Sequence, residues 1–288
     1  WIWINGRSSL GYPGLKKILD NLYGTYDFSE RLLHDPVKFP HRYKGRRDIE
    51  VAAFIASALA YGRVTLFSPV IDRILTPMGK NPAGFIAGFD PKKDARRFDG
   101  IRYRFNKTED IVCLIYVLSA ILEKYGSVEI AFLESYDGQA VSTAISGMVR
   151  YALSLNKTPV YGQDINPAGF KQFFPSPERG SSCKRMNLFL RWMVRSGDID
   201  FGIWKGIPAN RLVIPLDTHI ARISRCLSLT GRRSRDWKMA EEITESLRRL
   251  DPEDPLKYDF ALCHQGIMGL CRDGVCTGDR SACPVVNL

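Results

Sequence analysis

Apolar residues recur at three- and four-residue spacing along nearly the whole chain, in runs that suit helices rather than strands. The spacing predicts helices over 15–23, 27–33, 49–61, 64–75, 110–125, 128–135, 140–155, 183–195, 218–229, 238–250 and 256–270. The breaks carry turn chemistry: Pro36 and Pro40 in the loop 34–43, a Gly/Pro-interrupted stretch over 77–99, Pro175-Ser-Pro177, and a loop over 198–210 that holds Trp204. Asp48 is placed to cap helix 49–61, which carries Val51, Ala52, Phe54, Ile55, Ala58 and Leu59 and ends at Gly62-Arg63. Helix 110–125 is apolar around most of its circumference and therefore belongs at a centre. No strand-period run and no internal repeat is present, so the expected fold class is all-α.

At 288 residues the chain can bury a sizeable core, as one large domain or two intimate lobes. A formal charge of +10 favours a polyanionic partner without marking where it sits. No apolar run approaches the ~20 residues of a membrane span, and Trp1-Ile-Trp-Ile is too short for a secretory signal. These features predict a cytoplasmic protein with no membrane partner. Trp1 in place of Met leaves both ends open to trimming. Seven cysteines is an odd number, and Cys113, Cys183, Cys226 and Cys263 are scattered through helical patterns, which points to a reduced compartment.

Two stretches concentrate chemistry: Gly180-Ser-Ser-Cys-Lys-Arg185 and Ile214-Pro-Leu-Asp-Thr-His219. At ~100° per residue, Lys184, Arg191 and Arg195 share one stripe of helix 183–195 while Met186, Phe189 and Met193 point elsewhere. The stripe reads either as a solvated basic face or as a phosphate contact, since the helix opens from a Gly/Ser loop with unpaired N–H groups. Lys184 falls in the first turn, where a cation opposes the helix dipole; that placement lowers an amine's pKa, as a lysine nucleophile requires. Asp217 reads as the N-cap of helix 218–229. The same carboxylate, partly dry in a cleft, could stabilise a sugar cation as a glycosidic bond breaks. His219 reads as a structural or phosphate contact, and Trp192 and Trp204 as packing residues. Lys44-Gly-Arg-Arg47 reads as a solvated connector or a nucleic-acid contact, and Arg102-Tyr-Arg-Phe105 alternates basic and aromatic residues.

Pro215-Leu-Asp-Thr-His-Ile-Ala-Arg222 resembles the (V/P)-D-T-H-(V/I)-x-R stretch of the helix-hairpin-helix DNA glycosylases, the endonuclease III superfamily. Helix 49–61 resembles that superfamily's early helix ending in L-S-A-Q, and 171–195 occupies the place of its hairpin and lysine-bearing helix. Gly180 to Arg195 matches G-S-x-C-K-R-x-N-x-F-L-R-W-M-V-R, the mark of an uncharacterised bacterial branch. The resemblance covers 48 to the C-terminus. It implies a two-lobed helical fold with a cleft, formed by a helical-barrel lobe over 48–180 and a second lobe from 1–47 plus 181–288. It implies a monomeric base-excision repair glycosylase, with or without β-lyase activity, acting on double-stranded DNA with a damaged base or abasic site at the nucleoid. Lys184 and Asp217 would be catalytic, and Gly180, Ser181, Ser182, Arg185, Arg191, Arg195, His219 and Arg222 would contact DNA. The alternative is a non-catalytic DNA-binding protein on the same fold.

The sequence departs from that pattern in four places. Phe174-Pro-Ser-Pro-Glu-Arg-Gly180 stands where L-P-G-V-G is usual, and Leu59 stands where a Gln commonly fills the gap left by a flipped nucleotide. Lys184 precedes Asp217 by 33 residues, more than is typical, with 196–210 as the insertion. An archaeal subgroup acting on oxidised guanine has a similarly long separation; other gap placements would align Ser182 or Arg185. The tail Cys271-x4-Cys276-x6-Cys283 differs from the usual C-x6-C-x2-C-x5-C of an iron–sulfur cluster. A [4Fe-4S] cluster with Cys263 as fourth ligand, a zinc ion, or no metal are the readings left open.

Overall fold

The structure is a computed structural model that describes residues 12–267. Helices make up nearly all its regular structure, so the all-α expectation holds; the described strands form one short antiparallel hairpin, Ser196–Gly197 with Asp200–Phe201. Helix Val64–Leu75 has the predicted limits, and Thr108–Tyr125, Val141–Ser154, Lys184–Val194 and Trp237–Arg248 lie within two residues of theirs. The local caps explain the stops and starts. Ser127 Oγ accepts the Ile130 N–H at 3.2 Å, and Asp236 Oδ1 accepts that of Met239 at 2.9 Å. Gly126, at φ +77°, closes helix 108–125 by donating to the Leu122 carbonyl, a left-handed turn that a side chain would strain. One cap prediction fails. Helix Arg46–Leu59 begins three residues before Ile49, from Gly45, because Arg46 and Arg47 are good helix formers and nothing in them stops the helix. Asp48 instead accepts the Ala83 N–H at 3.0 Å, joining that helix to Pro82–Ala87.

Helix 46–59 runs through the interior. Every residue from Ile49 to Leu59 is buried, including Glu50 and Ser57, and Ala52, Ala53 and Ala56 let neighbours approach closely. Helix 184–194 lies against it, with the rings of Phe54 and Phe189 edge to face at 5.2 Å. Helix 108–125 is buried from Asp110 through Leu122 over most of its surface, as its apolar circumference predicts. Buried apolar side chains from Leu15 to Leu262 join in one continuous core.

The segment 196–210 is stitched into this core rather than left as a solvent loop. Trp204 is 1 % exposed, and its indole packs on Phe132 and Phe189. Burial pushes the Glu50 carboxyl upward, while the Trp204 Nε1–H donates to it at 2.8 Å and the Val128 N–H at 3.1 Å. Glu129 accepts the N–H groups of Lys205 and Gly206, and Arg46 pairs with both glutamates. Trp204→Ala should therefore cost about 3–5 kcal/mol from lost packing. Trp204→Phe keeps most of the ring but strips Glu50 of a donor and should cost about 1–3 kcal/mol. Urea unfolding measures both; a Phe variant as stable as the parent would show that Glu50 does not depend on the indole.

Candidate functional site

Helix 46–59 ends inside the protein, where its last carbonyls have no following turn to bind them. Two cations from the first turn of helix 184–194 take that role. The Arg185 guanidinium donates to the Ala58 carbonyl at 2.6 Å and also to that of Gln172, and Lys184 Nζ reaches the Ala60 carbonyl at 3.4 Å. Both cations are favourable at a helix C-terminus, although Lys184 opposes the dipole of its own helix. Cys183, just before that helix, sits at φ +47° and turns the chain into it.

Lys184 also faces Asp217, as the sequence pairing requires. Asp217 Oδ1 accepts the N–H groups of His219 and Ile220, both at 2.9 Å, so the N-cap reading of helix Thr218–Cys226 holds. Its other oxygen, Oδ2, lies 3.7 Å from Lys184 Nζ. One carboxylate oxygen thus fixes the side chain as the cap, and the other is turned to the amine. The Lys184 and Asp217 side chains are 32 % and 17 % exposed, so the pair is partly dry yet open to a partner.

A third group joins them. Cys263, on helix Asp259–Ile267, places Sγ 3.6 Å from Asp217 Oδ2. Burial, with the Asp217 and Asp259 carboxylates beside it, pushes this thiol well above its ordinary range, so its S–H is a donor to Asp217. Nothing in the sequence spacing links Cys263 to Asp217. The residues at the end of helix 46–59 were also missed as site neighbours, because a carbonyl contact leaves no mark on residue type. Tyr61 packs there under Arg185, 5.1 Å from its ring, and bonds to Asn106.

The structure corrects the basic stripe. Arg191 and Arg195 are 3 % and 5 % exposed and lie within ion pairs, not on a surface. Arg191 pairs with Asp200 and Asp259, and Arg195 with Asp198, Asp200 and Asp254. Burial works against both charges, but the surrounding carboxylates outweigh it and hold both guanidiniums protonated. Helical periodicity gave the shared stripe correctly and its direction wrongly, since charge alone does not say which side faces water. Arg185 is likewise committed to backbone carbonyls. Gly180 is exposed and Ser181, Ser182, His219 and Arg222 are half-buried; Arg222 Nη2 lies 3.4 Å from His219 Nδ1. The Gly180 carbonyl accepts the Trp237 N–H, which ties the 180–183 loop to helix 237–248.

Cys271, Cys276 and Cys283 lie outside the described residues. Cys263 is half-buried, with its sulfur 3.6 Å from Asp217 Oδ2. Among the described residues no group of three His, Cys, Asp or Glu side chains is arranged to hold a metal ion. No described helix is long and apolar enough to cross a membrane.

An all-helical protein with a lysine–aspartate pair at the meeting of two helix ends is the class that fold and site define. Residues 35–268 match the family described as protein of unknown function (DUF2400), and the chain belongs to that family. No curated protein and no solved structure matches it.

The buried arginines allow a direct test of stability. Arg191→Ala leaves Asp200 and Asp259 without a partner and should cost about 3–5 kcal/mol in chemical unfolding. An unchanged stability would restore the surface-stripe reading.

Proposed function

We propose that the protein is a DNA N-glycosylase of the helix-hairpin-helix kind, with Lys184 as nucleophile and Asp217 as its carboxylate partner. The observation that carries this reading is the approach of Lys184 Nζ to Asp217 Oδ2 at 3.7 Å across 33 residues of sequence, in a partly dry and open setting. The resemblance of Pro215 to Arg222 to the superfamily's aspartate stretch supports it, and in that reading lobes over 48–180 and 1–47 plus 181–288 flank the DNA cleft. The partner is duplex DNA carrying a damaged base or abasic site, because the sugar C1′ is unreachable until its nucleotide leaves the stack.

The chemistry comes from the pair. Lys184 attacks C1′ as the free amine. The N–C1′ bond forms while the glycosidic bond breaks, and its electron pair leaves with the base, which takes up a proton. Asp217 Oδ2, held by the cap contacts on Oδ1 and by the Cys263 S–H, stabilises positive charge on the sugar and can accept the proton that the attacking amine sheds. Ring opening then yields the Schiff base from which a β-lyase step proceeds. Gly180, Ser181, Ser182, His219 and Arg222 remain the candidate phosphate contacts. A second reading, a non-catalytic DNA-binding protein, is favoured by the altered hairpin at 174–180 and by Leu59 in the place of the usual Gln.

Borohydride trapping on duplexes with abasic, oxidised-purine, oxidised-pyrimidine and uracil sites tests the proposal. A covalent adduct absent from Lys184→Gln establishes the lysine mechanism. Asp217→Asn keeps a capping side chain, so the helix stays intact, and should slow base release by about 10²–10³-fold. Base release without an adduct, still dependent on Asp217, leaves a monofunctional enzyme; neither product on any duplex favours the binding protein. An absorbance band near ~400 nm in purified protein would place an iron–sulfur cluster on the tail cysteines, whereas stoichiometric zinc in a colourless sample would name the other metal.

A further inference from the structure

Helix 237–248 and the start of helix 141–154 flank a cleft of about 600 Å³, within the roughly 300–1,000 Å³ of small-molecule sites. Its floor is apolar, made by the buried side chains of Val141, Val213 and Trp237. Thr244 lies with them, its hydroxyl already spent in accepting the Ile214 N–H at 3.0 Å and donating to the Ala240 carbonyl at 2.7 Å. That contact ties helix 237–248 to the segment that carries Val213, so the cleft is formed before any ligand arrives.

Most charges on the cleft are spent. Arg248 pairs with Glu245 and donates to the Asn210 carbonyl at 3.0 Å, and Glu242 accepts the Gly231 N–H at 3.0 Å. Arg211 and Glu241 are not: both are exposed and line the cleft, yet their side chains form no ion pair or hydrogen bond among the described residues. Donors are also left over. Helix 141–154 has no side-chain cap, and the N–H groups of Val141 and Ser142 find no acceptor among the described residues, because Asp137 takes those of Gln139 and Ala140, both at 2.8 Å. Trp237 adds an independent sign of a ligand. It is 7 % exposed, and its indole N–H likewise has no acceptor among the described residues; a donor so nearly enclosed calls for a partner.

We propose that the cleft binds a small zwitterion of the α-amino-acid kind. Arg211 and the uncapped start of helix 141–154 take the carboxylate, Glu241 takes the ammonium, and the floor takes the apolar part of the side chain. A carboxylate suits the helix start because free N–H groups and the helix dipole both favour an anion there. A simple anion would be repelled by Glu241 and a simple cation by Arg211, so a ligand that carries both charges is the one selected. Neither Lys184 nor Asp217 lines the cleft, and the site stands apart from the reading of that pair as a DNA site.

Thermal unfolding of the full chain with each standard L-amino acid and its glycyl dipeptide, at about 10 mM, tests the site; at least one probe should raise the melting temperature by about 2 °C or more. Calorimetric titration then compares the best binder with its decarboxylated and deaminated analogues, which read the two charges separately. Each analogue should bind about tenfold or more weakly. Arg211→Ala and Glu241→Gln should each weaken the same probe by about tenfold, whereas Arg102→Ala, an exposed arginine outside the cleft, should leave its affinity unchanged. Both cleft side chains are exposed and unbonded, so the unliganded variants should melt as the parent does. No shift with any probe overturns the proposal. An analogue lacking one charge that binds as tightly as its parent overturns it too, as does binding that survives both substitutions. The readout needs no DNA, so it is independent of the glycosylase reading.

Discussion

The end of helix 46–59 is the constraint on which the site depends. A helix that stops in the interior leaves carbonyls that water cannot reach, and each must find a donor or destabilise the fold. Arg185 and Lys184 supply those donors from the opposite helix end, so the start of helix 184–194 is held by the same contacts that complete helix 46–59. Arg185, carrying the shorter contact, is the anchor. Lys184 is held more loosely at 3.4 Å and keeps a second neighbour in Asp217, which leaves its amine placed yet not consumed.

The buried arginines serve this arrangement from behind. Arg191 reaches Asp259 at the start of helix 259–267, and that helix packs on helix 218–226 and carries Cys263 to the Asp217 carboxylate. Arg195 gathers Asp198, Asp200 and Asp254, fixing the hairpin that opens the segment 196–210. One helix thus presents a lysine at its first turn and two structural arginines at its far end. Such buried pairs are weak sources of net stability but heavily penalise any packing that separates them. Their value here is geometric: they fix which helix lies beside Asp217.

The turn over 102–107 meets the end of helix 46–59 through Tyr61. The guanidiniums of Arg185 and Arg104 lie 5.1 and 5.8 Å from the Tyr61 ring, one committed to the helix end and one exposed at the turn.

Periodicity in the sequence was enough for the all-helical class and most helix limits, because the 3.6-residue repeat is a local property that packing preserves. The Asp217 cap was legible for the same reason, since an Asp before an apolar helical run satisfies the N–H groups next to it. Charge orientation was not legible. Arg191 and Arg195 look like a solvent face until Asp198, Asp200, Asp254 and Asp259 are brought around them, and two of those four lie far along the chain. The Asp48 cap failed because a helix start is set by the residues on both sides of it, and Arg46 and Arg47 carry the helix back to Gly45. Cys263 at Asp217, Lys184 at the Ala60 carbonyl and Tyr103 against Tyr61 are contacts between segments distant in sequence. Residue type and spacing carry no record of them; only tertiary packing, by deciding which helix ends meet, could place an amine, a carboxylate and a thiol at one corner.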